Sequence, residues 1–167
     1  MRQLEGIVRA LPESAPDATH DLKCELAGEL LRLSGSLRLS VTGRSMLPTV
    51  WPGDTVVVER VNNDDISEGD IVMFSTGRRF VAHRVVAKRC GPGRSSPQTR
   101  GDAVSRADSP IAQEKLVGKV ACILRNGRRV EPGKSLRPAE RAVAAVFQYS
   151  DLAARVAVGI HTWRSIG

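Results

Sequence analysis

Aromatic side chains, cysteines and long hydrophobic runs are all scarce in this chain of 167 residues. Aromatic residues make up only 4% of it, so aliphatic side chains must build most of its core. The three cysteines are far apart and form no CxxC pair, which argues against a disulfide framework or a zinc site and favours a reducing compartment. No window approaches the roughly eighteen apolar residues of a membrane span, and the first residues carry no secretory signal pattern. We therefore expect a cytoplasmic protein.

Positive charge is in excess, with 25 lysines and arginines against 18 acidic residues and a formal net charge of +7. Such an excess of positive charge can favour binding to nucleic acids, anionic membranes or acidic partners. The basic residues are scattered, however, and no signature of a nucleic-acid-binding module is present. We expect an ordinary solvated surface and no nucleic-acid partner.

Hydrophobic periodicity divides the chain into three segments. Residues 1–35 predict a polar arm and one helix, whose apolar stripe is Leu22, Leu26, Leu30 and Leu33. Residues 36–132 show the alternation and turn residues of a β-rich core, and residues 133–167 show the composition of a helical tail. The predicted fold is mainly β, a small antiparallel curled sheet or barrel with helices at both ends. Strands are predicted at 37–41, 55–61, 70–75, 79–88 and 116–124, and the Gly-, Pro- and Ser-rich segment 90–97 is predicted to be a surface loop.

The predicted tail is rich in alanine and valine between residues 139 and 160 but is interrupted by charged residues. Such helices can pack on the core or lie at a membrane surface. Peripheral membrane contact through the tail is therefore one expectation.

Ser45 stands in a loop that must turn sharply, because Pro48, Pro52 and Gly53 follow it closely. Such a loop can present the serine hydroxyl and aim the serine N–H at the same point, where it would serve as an oxyanion donor. Read alone, the motif also fits a surface serine without chemistry.

His83 lies in a predicted strand and shares one face with Val81 and Val85, so we expect it to be partly buried. A histidine at such a place can act as a general base or be purely structural. Asp102 and Asp108 flank a turn further along the chain. Either carboxylate could orient the imidazole, although aspartate is common in turns for other reasons.

Five short boxes follow one another along the chain: Ser45-Met46-x-Pro48-Thr49 with Gly53-Asp54, Gly69-Asp70-Ile71-Val72-x-Phe74, His83-Arg84-Val85-Val86, Gly101-Asp102 with Asp108, and Gly118-Lys119-Val120. Together and in this order they resemble the signal peptidase I superfamily of S24/S26-like serine peptidases. The bacterial branch has lysine where this chain has His83, so the chain is similar to the histidine-type branch of archaeal, endoplasmic-reticulum and sporulation enzymes.

The resemblance implies a nucleophile at Ser45, a general base at His83, and an aspartate at Asp108 or Asp102. It implies a peptide or precursor-protein substrate that loses a leader or signal-like segment, with Met46 and Pro48 beside the substrate. It implies neither a metal nor an organic cofactor.

Two departures from the family pattern change this expectation. Relatives have a serine two residues before the nucleophile, whose hydroxyl helps to hold the oxyanion, and this chain has Gly43 there. Thr42 or a backbone N–H would have to replace that donor. The sequence also shows no membrane anchor, which suggests a soluble processing peptidase.

Two alternatives remain open. The string Gly43-Arg44-Ser45-Met46 fits the loop of self-cleaving repressors of the LexA type, and Ala27-Gly28 offers an Ala–Gly bond, although inside a predicted helix. Those repressors use lysine as the base. A catalytically inert peptide-binding domain is the second alternative, and it predicts either that Ser45 and His83 lie too far apart to interact or that the oxyanion pocket is blocked.

Overall fold

A computed structural model of the protein describes residues 18–76, 79–91 and 94–164, and every structural statement below concerns these ranges. They contain seven strands, three α-helices and two short 3₁₀ turns. The helices are α1 (Ala18–Ser34), α2 (Pro138–Tyr149) and α3 (Asp151–Arg164), and the 3₁₀ turns are Asn63–Asp65 and Gln113–Lys115. The strands are β1 (Ser36–Ser40), β2 (Thr55–Glu59), β3 (Ile71–Ser75), β4 (Phe80–Gly91), β5 (Arg94–Arg100), β6 (Leu116–Arg125) and β7 (Arg128–Val130).

All seven strands join one antiparallel sheet in the order β1–β2–β6–β3–β4–β5, with β7 paired to β6. The sheet is open, because β1 and β5 do not pair with each other. Register shifts interrupt three of the pairings, and such bulges bend a sheet. The predicted mainly β architecture with helices at both ends is confirmed, in its open rather than its barrel form.

Strand β3 is buried on both faces, as its unbroken apolar sequence requires. Ile71 and Met73 belong to the larger hydrophobic cluster, whereas Val72 and Phe74 belong to the smaller one on the opposite face. β4 lies beside this strand, with His83 paired to Val72. The candidate base is thus carried next to the most buried strand of the sheet.

Helix α1 includes the predicted helix, but its buried face shares only part of the predicted leucine stripe: the partly buried Leu30 packs on the larger cluster, and the side chain of Leu22 lies outside the described residues. Ala27 and Leu31 are 4% and 2% exposed and pack on the larger cluster. Leu26 and Leu33 are 55% and 83% exposed. The buried face is centred near Leu31, and a helical spacing of about 100° per residue places Leu26 and Leu33 roughly 140° and 160° from it around the helix.

The prediction of a surface loop at residues 90–97 was wrong. β4 extends to Gly91, and β5 begins at Arg94 and pairs with it along most of its length. β5 is an edge strand, where a proline such as Pro97 is tolerated because an edge strand need not donate all of its N–H groups. Cross-strand pairing therefore overrides the loop-like composition, and it places β5 beside the strand that carries His83.

The two tail helices pack against the loop that carries Ser45. The ring of Trp51 in that loop stacks on His161 at 4.4 Å and meets Phe147 edge-on at 6.3 Å. Their outer faces expose several apolar side chains: Val143, Val146, Tyr149, Leu152, Val156 and Ile160. Membrane contact through this tail stays a prediction.

Of the helices within the described residues, none has the length and apolar character that crossing a membrane would require.

Candidate active site

Three side chains from distant parts of the chain form a continuous hydrogen-bonded row. The Ser45 hydroxyl lies 3.0 Å from Nε2 of His83, and Nδ1 of the same ring lies 2.6 Å from Oδ2 of Asp108. His83 is only 7% exposed, whereas Ser45 is half-buried and lines an open groove. This row has the geometry that a serine nucleophile, its base and an orienting carboxylate require.

The imidazole of His83 is held by packing as well as by its two hydrogen-bond partners. Its ring meets the Phe74 ring edge-on at 6.0 Å. Val85, two residues along the same strand face, is 1% exposed in the smaller cluster. The predicted burial of the histidine is confirmed, and the ring has little freedom to leave Ser45.

Strand β5 positions the carboxylate that reaches His83. The hydroxyl of Thr99, which is fully buried, donates to Oδ2 of Asp108 at 2.7 Å. The Asp108 N–H donates to the Thr99 carbonyl at 2.8 Å, and Gln98 Nε2 donates to the Asp108 carbonyl at 3.1 Å. Asp108 is therefore anchored through both its backbone and its side chain. Sequence reasoning missed Thr99, because an offset of nine residues matches no periodicity.

The other candidate aspartate, Asp102, belongs to a different network. Arg84 binds both of its carboxylate oxygens at 2.8 Å, and the Thr49 hydroxyl donates to Oδ2 at 2.5 Å. The guanidinium also donates to the carbonyls of Gly69 and Gly133, at 2.9 and 2.6 Å. The Arg84 and Asp102 side chains are 9% and 4% exposed. Asp102 thus ties the serine loop to β4, while Asp108 is the aspartate paired with His83.

The segment beside Asp102 also touches the nucleophile through its backbone. Ala103 N–H donates to the Ser45 carbonyl at 2.8 Å. A Cβ atom on Gly101 would stand 2.6 Å from that carbonyl oxygen and 3.1 Å from His83 Nε2. Only glycine fits between them, which gives the Gly-Asp box a steric reason.

The turn after Ser45 is fixed by Asp54, which is 2% exposed. Its carboxylate accepts the Trp51 N–H at 2.8 Å and binds Arg125 at 2.7 Å. The same arginine donates to the Thr49 carbonyl at 2.9 Å, and Gly53 adopts φ +94°, which favours glycine. These contacts explain why the loop needs the Gly-Asp pair that follows it.

A groove of about 550 Å³ runs past Ser45. Residues 39–44 form one wall and residues 80–83 form the other. Its floor is apolar and belongs to the larger hydrophobic cluster: Met46, Val50, Val56 and Met73.

The remaining predicted site residues take different places around this groove. Thr42 and Gly43 line the wall directly before the nucleophile, and Met46 is part of the floor with only 3% exposure. Pro48 is half-buried in the serine loop, where its carbonyl accepts the Trp51 indole N–H at 2.7 Å. The structure thus places Met46 against the groove and gives Pro48 a contact within the loop.

Asp70, in the second box, is the described carboxyl group whose pKa clearly departs from its ordinary value. Burial alone would raise the pKa of Asp70, but hydrogen bonds from Lys134, the Ser67 N–H and Lys119 outweigh burial and hold that pKa below its ordinary value. Lys134 lies just before the tail helices, so this ion pair fastens the tail to the turn before β3.

Nothing in the described ranges brings three or more histidine, cysteine, aspartate or glutamate side chains together as metal ligands. Cys122 is a free, buried thiol on β6.

No curated protein matches the chain. Residues 10–91 match the family model Peptidase S24-like, and this range includes Ser45 and His83 and ends before Asp108. Over these residues the chain is similar to Peptidase S24-like domains, and the open antiparallel sheet with flanking helices is consistent with that fold.

Proposed function

We propose that this protein is a serine peptidase of the histidine-type, signal peptidase-like branch, and that it removes a leader or signal-like segment from a peptide or precursor protein. The observation that carries the proposal is the 3.0 Å contact between the Ser45 hydroxyl and Nε2 of His83, whose other nitrogen contacts Asp108. A general base must lie within hydrogen-bond reach of the proton that it takes, and this one does.

The first half of the reaction forms an acyl-enzyme. Ser45 Oγ attacks the carbonyl carbon of the scissile peptide bond while Nε2 of His83 accepts the hydroxyl proton. Asp108 accepts a hydrogen bond from Nδ1–H, which fixes the tautomer that leaves Nε2 free and stabilises the imidazolium. When the C–N bond breaks, His83 donates its proton to the leaving amine.

The second half releases the acid product. Water enters the site and loses a proton to His83 as its oxygen attacks the ester carbonyl. The ester bond then breaks, and the proton returns to Ser45 Oγ. The chemistry requires these side chains and water alone.

The oxyanion of each tetrahedral intermediate needs at least one donor besides the Ser45 N–H. Thr42 and Gly43 lie on the groove wall directly before the nucleophile. We assign the second donor to the Thr42 hydroxyl or to a backbone N–H of this segment, because Gly43 has no hydroxyl of its own.

The groove suits an extended peptide with small or aliphatic side chains near the cut. Its two walls are residues 39–44 and the first residues of β4. Its floor is apolar, and Met46 closes it beneath the nucleophile. Side chains that fill such a floor gain from burial, whereas charged ones would lose their hydration there.

The two alternatives receive less support from the geometry. The Ala27–Gly28 bond lies inside α1, and Ala27 is only 4% exposed, so the helix would have to unwind before self-cleavage at this bond. The hydrogen-bond contact between Ser45 and His83 speaks against an inert domain that separates them, and it does not test one whose oxyanion pocket is blocked. The Peptidase S24-like match itself fits a self-cleaving regulator as well as a peptidase that acts on other chains.

A serine-directed acylating or phosphonylating probe tests the proposal directly. We expect one added mass on Ser45, reduced labelling in His83→Ala and in Asp108→Asn, and unchanged labelling in Ser36→Ala, which removes an exposed hydroxyl on β1. Peptide cleavage should follow the same order. Labelling that is absent, or that survives in both Ser45→Ala and His83→Ala, would refute the proposed activity.

A further inference from the structure

A second cavity, of about 610 Å³, meets the groove at the end of the β3–β4 hairpin. Phe80 lines both spaces. Ser75 lines the second cavity, and its neighbour Thr76 lines the groove. The two spaces therefore adjoin at Phe80, at the start of β4.

The spacing along β4 tells which part of a bound peptide would reach this cavity. Phe80 precedes His83 by three residues, which corresponds to about 10 Å along a strand. A peptide that lies extended beside β4 advances at the same rate. Its residue about three positions from the cut would therefore lie at Phe80, and residues about four or more positions away would enter the second cavity.

The charges around the second cavity are unequal. Glu29 and Arg32 on its α1 wall pair with each other at 3.0 Å and offset each other. Arg60 and Lys115 are both exposed and have no acidic partner among the residues that the structure describes, whereas Glu114 is the one further acid of the described lining.

The junction between the two spaces carries positive charge as well. Arg79, which lines the groove beside Phe80, is exposed and has no ionic partner in the described part of the chain. Its carbonyl accepts hydrogen bonds from the Thr76 N–H and hydroxyl, so the residue is held at this end of the hairpin. Cations thus stand at the entrance and on the walls of the second cavity.

We propose that this second cavity is a substrate subsite, which binds an acidic segment of the substrate about four or more residues from the cleaved bond. The location of the cut rests on the proposed function, but binding of the acidic segment does not depend on catalysis. Exposed ion pairs are weak individually, each changing an equilibrium by less than about fivefold. Arg60 and Lys115 together should therefore change affinity roughly three- to twentyfold.

Binding to the inactive Ser45→Ala variant tests the subsite. The ligands are fluorescein-labelled peptides that share one apolar central segment. The short peptide consists of this segment alone. Each long peptide extends it by four residues, on either the amino or the carboxyl side, and these four residues are either acidic or the corresponding amides. We expect the long acidic peptide to bind roughly three- to twentyfold more tightly than its amide counterpart, with a smaller difference at high salt. The double variant Arg60→Glu/Lys115→Glu should abolish that difference and leave the short peptide unaffected.

A matched control removes the same charge elsewhere. Arg128→Glu/Arg129→Glu changes two exposed arginines on β7, which pairs with the opposite end of β6 from Lys115. The subsite is wrong if this control weakens the acidic peptide as much as the cavity variant does, if the cavity variant has no effect, or if the acidic peptide does not bind at all. Cleavage of the short peptide by the unmodified enzyme is scored separately, so failure of the peptidase proposal and failure of the subsite give different results.

Discussion

Replacing Asp102 by asparagine should destabilise this protein far more than replacing Asp108, although both aspartates follow β5. The Arg84 and Asp102 side chains are 9% and 4% exposed and form a two-pronged ion pair. Asparagine would leave the guanidinium buried without its counter-charge, and breaking such a pair costs about 3–5 kcal/mol. Two backbone carbonyls still accept hydrogen bonds from Arg84, so we expect the lower end, about 3 kcal/mol.

Replacing Asp108 by asparagine should cost less unfolding free energy, because the Asp108 side chain is 31% exposed. Its asparagine variant keeps one carbonyl oxygen as an acceptor for Thr99 or His83. The expected loss of unfolding free energy is about 1 kcal/mol, the net contribution of an ordinary hydrogen bond. Under the proposed mechanism the same change lowers kcat by a factor of about 10⁴, because asparagine no longer holds the proton of the His83 imidazole on Nδ1. The two variants should therefore separate stability from activity.

Urea unfolding followed by circular dichroism measures the difference. A loss of 3 kcal/mol also corresponds to a melting temperature lower by roughly 6–12 °C in a chain of this size. Glu29→Gln is the control, because it breaks an exposed pair with Arg32 and should change stability by about 0.5 kcal/mol or less. The double variant Arg84→Met/Asp102→Leu removes both charges and should recover part of the loss.

The reasoning fails if Asp102→Asn costs less than about 1 kcal/mol, or if it costs no more than Asp108→Asn. Either result would mean that Asp102 is not the buried anchor of the serine loop.

Three further outcomes follow from other contacts. Gly101→Ala should lower the unfolding free energy by about 1–3 kcal/mol and slow probe labelling, because its Cβ would clash with the Ser45 carbonyl. Gly43→Ala is the control, since its Cβ meets nothing within 4 Å and should change neither quantity. Equal effects of the two substitutions would contradict this reasoning. Gly43→Ser has the space to supply the hydroxyl that relatives carry there, so labelling should rise, by up to about 10²-fold, and an unchanged rate would show that another donor suffices. The pKa of Asp70 is lower in the folded than in the unfolded protein, so its stabilisation is fully present above the ordinary pKa of 3.8 and is lost as pH falls through the folded value. The difference in unfolding free energy between the unmodified protein and Asp70→Asn should accordingly be constant well above pH 3.8 and shrink as the pH falls below it, and a difference that stays constant under acid conditions would contradict the lowered pKa.

Much of this fold could be predicted from the sequence, because alternation and turn residues mark most strands directly. The serine loop and His83 were found through the order of the boxes. The choice between Asp102 and Asp108 could not be made, because both lie close together after β5. It depends on the β4–β5 register and its bulge between Val85 and Ala87, which no local pattern encodes.

Other misses have the same physical origin. β5 was predicted as part of a loop, because its stability comes from pairing with β4 rather than from its own residues. The buried face of α1 was predicted only in part, because four leucines have helical spacing in the sequence but the sheet determines which face of the helix becomes buried. Thr99, Arg84 and Gly101 act through long-range contacts, and their positions become meaningful only when the sheet is assembled.

The floor of the groove has a consequence for how this protein can diverge. Met46, Val50, Val56 and Met73 contact both the groove and the interior, and each is at most 4% exposed. Any change there that admits a different substrate side chain also opens a cavity or overfills the core, at a cost of about 1–5 kcal/mol. Descendants with a new preference must therefore carry compensating substitutions elsewhere in the interior. An exposed residue on the wall of the groove that has no assigned role, such as Ser40, can change singly, and variation between relatives should accumulate at such positions first.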